Sequence, residues 1–225
     1  MTENIVILSI ETSGTSCGVA LSNDNKIIAE YVVYVPNQHE RLLAELINRI
    51  LKDNNFTIKD LSAVAVSSGP GSFTGLRIGA SVSKGLCFND KPKLISVTTL
   101  EALAFNYSSL AKQLNINKIL VADNSHKDIC YFQFFDSSAK ALSDVDMKEY
   151  KNINIPQEEK VIVCGSSVNF INADNIIKMQ EKILPSYINI LALKFYKEGK
   201  FTKPEDFEPN YYYDFNPIIN KSLEI

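Results

Sequence analysis

The sequence has few of the residues that build metal and nucleic-acid sites. Its four cysteines are far apart and form no C-x-x-C pair, which argues against a structural zinc site and favours buried free thiols. The two histidines, His39 and His126, fall in different halves of the chain and support neither a metal site nor a Ser-His-acid triad. With only three arginines in 225 residues and a formal net charge of −3, the chain is not expected to bind nucleic acid by itself.

Long apolar segments and targeting signals are also missing. No apolar run approaches the roughly 20 residues that a membrane-spanning helix needs. The first residues, Met1 to Asn4, lack the basic start of a signal peptide. With 45% hydrophobic and 22% charged residues, the composition is that of an ordinary globular protein of one domain or two small ones. We therefore expect a cytoplasmic protein without membrane contact.

The two halves of the sequence share an order of elements. In the first half, a continuous apolar strand over residues 5–10 ends in Glu11, and a polar turn leads to a second strand. In the second half, an apolar strand over residues 118–122 ends in Asp123 and likewise folds back. Later in each half, another strand runs into a loop of small residues, at Gly69 and at Gly165. This repeated order predicts an internal duplication with two mixed sheets.

Two such halves predict two lobes with a cleft between them. We expect a first lobe over residues 1–98 and a second, diverged lobe over residues 99–225. Helices are predicted over residues 38–52, 74–88, 98–114 and 191–198, and the third of them is placed to bridge the lobes. The charged run over residues 144–151 predicts a solvated face, and the Tyr-rich tail from residue 201 is expected to pack loosely across a lobe.

The segment GPGSFTG, residues 69–75, suggests a phosphate-binding loop because it follows a strand and precedes a helix. It lacks the Gly-Lys-Ser/Thr of a P-loop, and Thr74 stands where G-x-G-x-x-G requires its third glycine. The roles that the sequence still supports for this loop are conformational. Gly69 and Gly71 can adopt backbone angles that other residues avoid, and Ser72 or Thr74 can cap the helix that follows.

Small residues form a stripe on the helix after this loop. Gly75, Gly79 and Ser83 recur at every fourth position, although glycine inside a helix costs about 1 kcal/mol relative to alanine. Such a stripe allows another backbone to come close. The stripe could pack against the helix over residues 38–52 of the same chain or against a helix of a partner subunit, and both alternatives stay open.

The acids Glu11 and Asp123 are the candidate chemical groups. Each ends a first strand at the predicted cleft, where carboxylates of a nucleotide-binding fold would orient a magnesium ion or water around phosphates. The alternative is that they stabilise turns. With Gly69 and Gly71, they form the possible nucleotide site.

Four stretches of the first half resemble the TsaB family, also called YeaZ, which serves in making threonylcarbamoyladenosine in tRNA. They are ILSIETSGTSCGVALS, NQHERLLAELINRIL, SSGPGSFTGLRIGASVSKGL and ISVTTLEALA, and the match covers residues 5 to about 105. The second half departs from the family, because Asn124 and Ser125 follow Asp123 where Asp-Ala-Arg is common, and Tyr213 replaces an arginine.

The resemblance implies a two-lobed actin-like, Hsp70-like ATPase fold with ribonuclease H-like duplicated lobes, mixed sheets and flanking helices. It also implies a division of labour with the catalytic subunit TsaD. The metal-binding H-x-x-x-H of TsaD aligns with Thr99 and Leu103 here, neither of which can replace a histidine ligand. The family therefore implies a non-catalytic subunit without a cofactor of its own, with ATP and metal held by partner subunits.

The expected partners are a TsaD-like catalytic subunit and a TsaE-like ATPase. The chain is expected to contact tRNA only as part of that complex. Without its partners, it is expected to be able to form a homodimer. The predicted partner surface is on the first-lobe helices and comprises Leu42, Leu46, Gly75, Arg77, Gly79 and Ser83. Two alternatives remain: a stand-alone ATPase or small-molecule kinase that uses Glu11 and Asp123, and a metallopeptidase, which the missing pair of histidines disfavours.

Overall fold

Two mixed sheets dominate the structure, a computed structural model that describes residues 4–35, 39–90, 92–179 and 182–212. The first half of the chain forms β1 (Val6–Glu11), β2 (Cys17–Asn23), β3 (Lys26–Val33), α1 (His39–Asp53), β4 (Ala63–Ser67), α2 (Phe73–Leu86) and β5 (Lys93–Val97). The second half forms α3 (Thr99–Gln113), β6 (Lys118–His126), β7 (Ile129–Asp136), β8 (Asp146–Glu149), β9 (Val161–Cys164), β10 (Ile176–Met179) and α4 (Pro185–Lys197).

The two sheets have the same topology. Their strand orders are β3-β2-β1-β4-β5 and β8-β7-β6-β9-β10. In each sheet the first three strands are antiparallel, and the fourth and fifth run parallel to the first. The predicted internal duplication and the two-lobed α/β fold are therefore confirmed.

The central strands of each sheet are buried on both faces, which explains their continuous apolar runs. In β1, Val6, Leu8 and Ile10 pack towards α1 and α2, whereas Ile7 belongs to the core between the sheets. The second sheet has no counterpart of α1 or α2 among the described residues, and short 3-10 turns and loops cover its outer face instead. The lobes thus share strand topology but differ in their outer layer.

The helices α3 and α4 lie between the sheets and join the lobes. The first of them packs on β6 and β7, and α4 packs on β1, β2, β4 and β5. Two buried hydrogen bonds hold α4 on the first sheet: Ser9 Oγ donates to Pro185 O at 2.8 Å, and Asn189 Nδ2 donates to Ile7 O at 2.9 Å. The chain therefore returns to the first lobe after building the second, and the predicted division between residues 98 and 99 stays a prediction.

Several element boundaries differ from those predicted. Because Pro185 occupies the first turn of α4, that helix begins six residues before the predicted start at residue 191. The charged run over residues 144–151 contains β8, an edge strand whose residues alternate between exposed and half-buried. All four cysteines are buried free thiols, as predicted. In the described part of the chain, no helix has the length and apolarity to cross a membrane.

The tail is held on the first lobe more firmly than predicted. Thr202 N donates to Leu94 O of β5 at 2.9 Å, and Asn210 N donates to Ser68 O at 2.7 Å. Between these two points, Phe207 is buried in the core formed by β1, β4 and α1. The predicted first residue of α1, Gln38, and the tail beyond Tyr212 lie outside the described residues.

Candidate functional site

A cleft of about 950 Å³ lies between the lobes. It is formed by the loops that follow β1, β4 and β9 and by the end of β6, which the duplicated topology brings to facing edges of the two sheets. Asp123 lines this cleft, as do Gly71, Ser72 and Ser166. Residues from both halves of the chain therefore line one cleft, as predicted.

Glu11 is buried beneath the cleft. Its side chain accepts hydrogen bonds from Ser13 N at 2.5 Å and from Ser13 Oγ at 2.6 Å. Burial raises the pKa of Glu11 to about 7, although the hydrogen bonds from Ser13 act in the opposite direction. The carboxyl group therefore braces the turn between β1 and β2, which matches the alternative role of a turn stabiliser.

In the second lobe, Asp123 lies within β6, because this strand continues to His126 rather than ending at residue 122 as predicted, and its partner is Ser166 of the loop after β9. It accepts hydrogen bonds from Ser166 N at 3.2 Å and from Ser166 Oγ, while Asn124 N donates to Ser166 Oγ at 2.8 Å. Desolvation raises the pKa of Asp123 as well. Each lobe therefore has a raised-pKa acid that is held by a nearby serine.

The Gly69–Gly71 segment uses its backbone for internal packing. Ser72 N donates to Ser13 O at 2.7 Å, and Gly69 O accepts from Thr99 N at 2.9 Å. Gly69 has a φ of 100°, in the region that favours glycine, and a Cβ there would lie 2.9 Å from Asn210 O. The loop thus joins the β1–β2 turn, α3 and the tail. Ser72 caps α2 by accepting from Gly75 N at 3.2 Å, as predicted.

The small-residue stripe of α2 is buried inside the chain. Gly75, Gly79 and Ser83 are all buried. A Cβ on Gly75 would lie 2.0 Å from Thr12 O, and one on Gly79 would lie 2.4 Å from Thr12 Oγ1 and 3.4 Å from Val66 Cγ2. The stripe lets α2 approach the end of β1. The close approach that Gly75 and Gly79 allow is therefore made inside this chain. The helices α1 and α2 also contact each other, and the partner surface predicted for the three residues stays a prediction.

Of the other predicted interface residues, Arg77 alone is exposed. Leu46 is buried in the first-lobe core, and Leu42 is half-buried against the same core, because both face the sheet from α1. Arg77 projects from the opposite side of α2 and its guanidinium lies 3.9 Å from the ring centroid of Phe73. The sequence analysis missed Phe73 and Tyr211 beside it, although the Tyr-rich tail was a signal that could have directed attention there.

The residues that align with the TsaD metal motif are not accessible. Thr99 and Leu103 are fully buried in the first two turns of α3. His126 is exposed, with Nδ1 3.1 Å from Ser125 Oγ, and the side chain of His39 lies outside the described residues. No group of three or more His, Cys, Asp or Glu that could hold a metal occurs among the residues that the structure describes.

Comparison with known proteins supplies the family. The TsaD family model, described as tRNA N6-adenosine threonylcarbamoyltransferase, matches residues 24–154, which is more than half of the chain. The tRNA threonylcarbamoyladenosine biosynthesis protein TsaB of Bacillus subtilis is 36% identical over 102 residues, 45% of this chain and 44% of that protein. In that match, the chain thus spans less than half the length of the relative.

Two further similarities extend over most of the chain. The TsaB protein of Buchnera aphidicola subsp. Schizaphis graminum is 26% identical over 204 residues, 87% of this chain and 95% of that protein. The solved structure of YeaZ from Pseudomonas aeruginosa superposes with a TM-score of 0.77 at 20% identity, covering 92% of this chain and 99% of that one, which shows a shared fold. The chain therefore belongs to the family that the TsaD model describes, and its relatives place it among the TsaB proteins.

Proposed function

We propose that the chain is a non-catalytic subunit that pairs with a TsaD-like transferase in the biosynthesis of threonylcarbamoyladenosine in tRNA. The names of its relatives support the pathway. The observation that carries the non-catalytic role is that the acid of the first lobe and its glycine loop are engaged in internal hydrogen bonds. Glu11 Oε1 accepts both hydrogen bonds from Ser13, whereas the buried Oε2 has no hydrogen-bond partner among the described residues, and the loop around Gly71 is tied to the same turn.

The buried state of Thr99 and Leu103 supports the same proposal. A transferase of this fold that binds metal on the helix after the fifth strand needs ligands there, and this chain has a hydroxyl and an alkyl side chain inside the core. In the proposed complex, ATP, metal and most tRNA contacts belong to the partner subunits, among them a TsaE-like ATPase. The net charge of −3 agrees with this arrangement. A role in tRNA modification would place the chain in the cytoplasm.

The partner surface is proposed to lie on the exposed side of α2, centred on Arg77. A standard interface buries about 1,600 Å² in total, so α2 alone is too small and neighbouring exposed segments must contribute. In the absence of the partner, the same face could pair with a second copy of the chain, since a two-fold arrangement matches a surface with itself.

The first experiment measures binding and ATP hydrolysis separately. We expect the purified chain to form a stable complex with the TsaD-like protein of the same organism in size-exclusion chromatography with light scattering. We expect the chain alone to hydrolyse no ATP in the presence of magnesium above the buffer rate. Hydrolysis by the lone chain that is lost in Asp123→Asn would instead support the ATPase or kinase alternative, and failure of the two proteins to associate would contradict the proposed pairing.

A further inference from the structure

The C-terminal tail positions an aromatic side chain beside α2. Its backbone is fixed by hydrogen bonds of Thr202 and Asn210 to the first lobe and by the buried ring of Phe207, so Tyr211 follows directly after an anchored residue. The Tyr211 and Phe73 ring centroids are 4.9 Å apart. The tail thereby extends the exposed side of α2 with a second aromatic ring.

These two rings hold the guanidinium of Arg77. Its carbon lies 3.9 Å from the Phe73 centroid and 5.9 Å from the Tyr211 centroid, and Arg77 Nε donates to the Tyr211 hydroxyl at 3.4 Å. A guanidinium stacked on aromatic rings gives up less conformational freedom when it binds a carboxylate, because its plane is already oriented. We name Phe73, Arg77 and Tyr211 the arginine cluster.

The arginine cluster presents a positive charge at an exposed surface, and no carboxylate among the described residues pairs with it. The sequence of α2 contains no acidic residue. Phe73 and Tyr211 are 39% and 43% exposed, although aromatic side chains gain free energy when they are buried. Arginine and tyrosine are also among the residue types that are enriched at the sites which dominate the binding energy of protein interfaces.

We propose that the arginine cluster is the anchor at which the TsaD-like subunit docks, and that it receives an Asp or Glu side chain flanked by apolar residues of that subunit. This inference rests on the proposed function and adds the chemistry of the contact. Charge complementarity selects the occupant: the guanidinium N–H groups of Arg77, which no described carboxylate accepts from, match the two oxygens of a carboxylate, and the exposed rings match an apolar surround. The tail is then part of the partner surface.

The test compares dissociation constants, measured by isothermal titration calorimetry with the TsaD-like protein, for the chain and matched variants. We expect Arg77→Ala to weaken binding about tenfold or more and Tyr211→Ala about fivefold, whereas Tyr211→Phe retains the ring and most of the affinity. The dissociation constant of Arg77→Lys should lie between those of the unmodified chain and Arg77→Ala, because an ammonium group keeps the charge but lacks the planar arrangement of N–H donors. Tyr212→Ala and Arg49→Ala are the controls, since Tyr212 lies beside Tyr131 and Arg49 pairs with Asp53.

Salt dependence separates a charge contact from a packing effect. Raising the salt concentration should weaken binding of the unmodified chain more than binding of Arg77→Ala, because the variant no longer has the ion pair to screen. Equal affinities and equal salt dependences for the chain, Arg77→Ala, Arg77→Lys and Tyr211→Ala would overturn the inference while leaving the proposed function in place. If the unmodified chain does not bind at all, the proposed function itself fails. Thermal unfolding within about 2 °C of the unmodified chain confirms that a weakened variant is folded.

Discussion

Replacing Gly75 with alanine is expected to destabilise the first lobe by about 3–5 kcal/mol, at the upper end of the range for single substitutions. The added Cβ would lie 2.0 Å from Thr12 O, a backbone atom at the end of β1 that is held by the strand and its turn. Either α2 must move away from the sheet or the β1–β2 turn must shift. Urea denaturation followed by circular dichroism measures the change in the free energy of unfolding.

Gly85 provides the matched control because it lies in the same helix and a Cβ added there would have no other atom within 4 Å beyond its own helical neighbours. We expect Gly85→Ala to be neutral or to stabilise the chain by up to about 1 kcal/mol, as alanine is the better helix former. Equal small effects at both positions would contradict the close packing of α2 on Thr12. For the same reason, a large side chain at Gly79 would report on folding rather than on docking.

Replacing Glu11 with glutamine is expected to make the chain more stable above neutral pH, by up to about 3 kcal/mol. Burial raises the pKa of Glu11 to about 7 from an ordinary value of 4.5. The folded state therefore holds the proton more tightly than the unfolded state, and the contribution of this carboxyl to stability is complete below pH 4.5 and declines as the pH rises through 7. Glutamine stays neutral, and its carbonyl oxygen can still accept the hydrogen bonds from Ser13.

The measurement compares urea denaturation of Glu11→Gln and of the unmodified chain at pH 5 and pH 8. The difference between them should be small at pH 5 and favour the variant at pH 8, whereas Glu45→Gln, at an exposed position of α1, should show no such change. A variant that is less stable by the same amount at both pH values would show that Glu11 is not held in its protonated form. The raised pKa of Asp123 acts in the same direction and is common to both proteins.

The strand topology could be predicted from the sequence because burial on both faces leaves a continuous apolar run. The apolar segments that precede Glu11 and Asp123 are the central strands of their sheets. Because both occupy the same place in the order of elements, they indicated the duplication. Edge strands carry a weaker signal, since one edge contacts solvent and their sequences are polar. That is why β8, with its charged residues, was predicted as a solvated face, and why β10 was not predicted.

The candidate site was predicted less well because its determining contacts join residues far apart in the chain. The spacing of Gly75, Gly79 and Ser83 correctly indicated a close approach, but periodicity cannot say which backbone approaches, and Thr12 lies more than sixty positions away. The engagement of Glu11 by Ser13 depends on the geometry of a turn that residue types alone do not fix. The pairing of Tyr211 with Arg77 depends on how the tail crosses the first lobe.

The central claim is that this chain does no chemistry itself but is required by a catalytic partner. Reconstitution of tRNA threonylcarbamoylation from purified proteins, with and without the chain, tests it most directly, with the modified nucleoside measured by mass spectrometry. We expect product only when the chain and the TsaD-like subunit are both present, with Asp123→Asn and Glu11→Gln supporting the reaction as well as the unmodified chain does. Equal product without the chain, or loss of product in both acid variants that still bind the partner, would contradict the account.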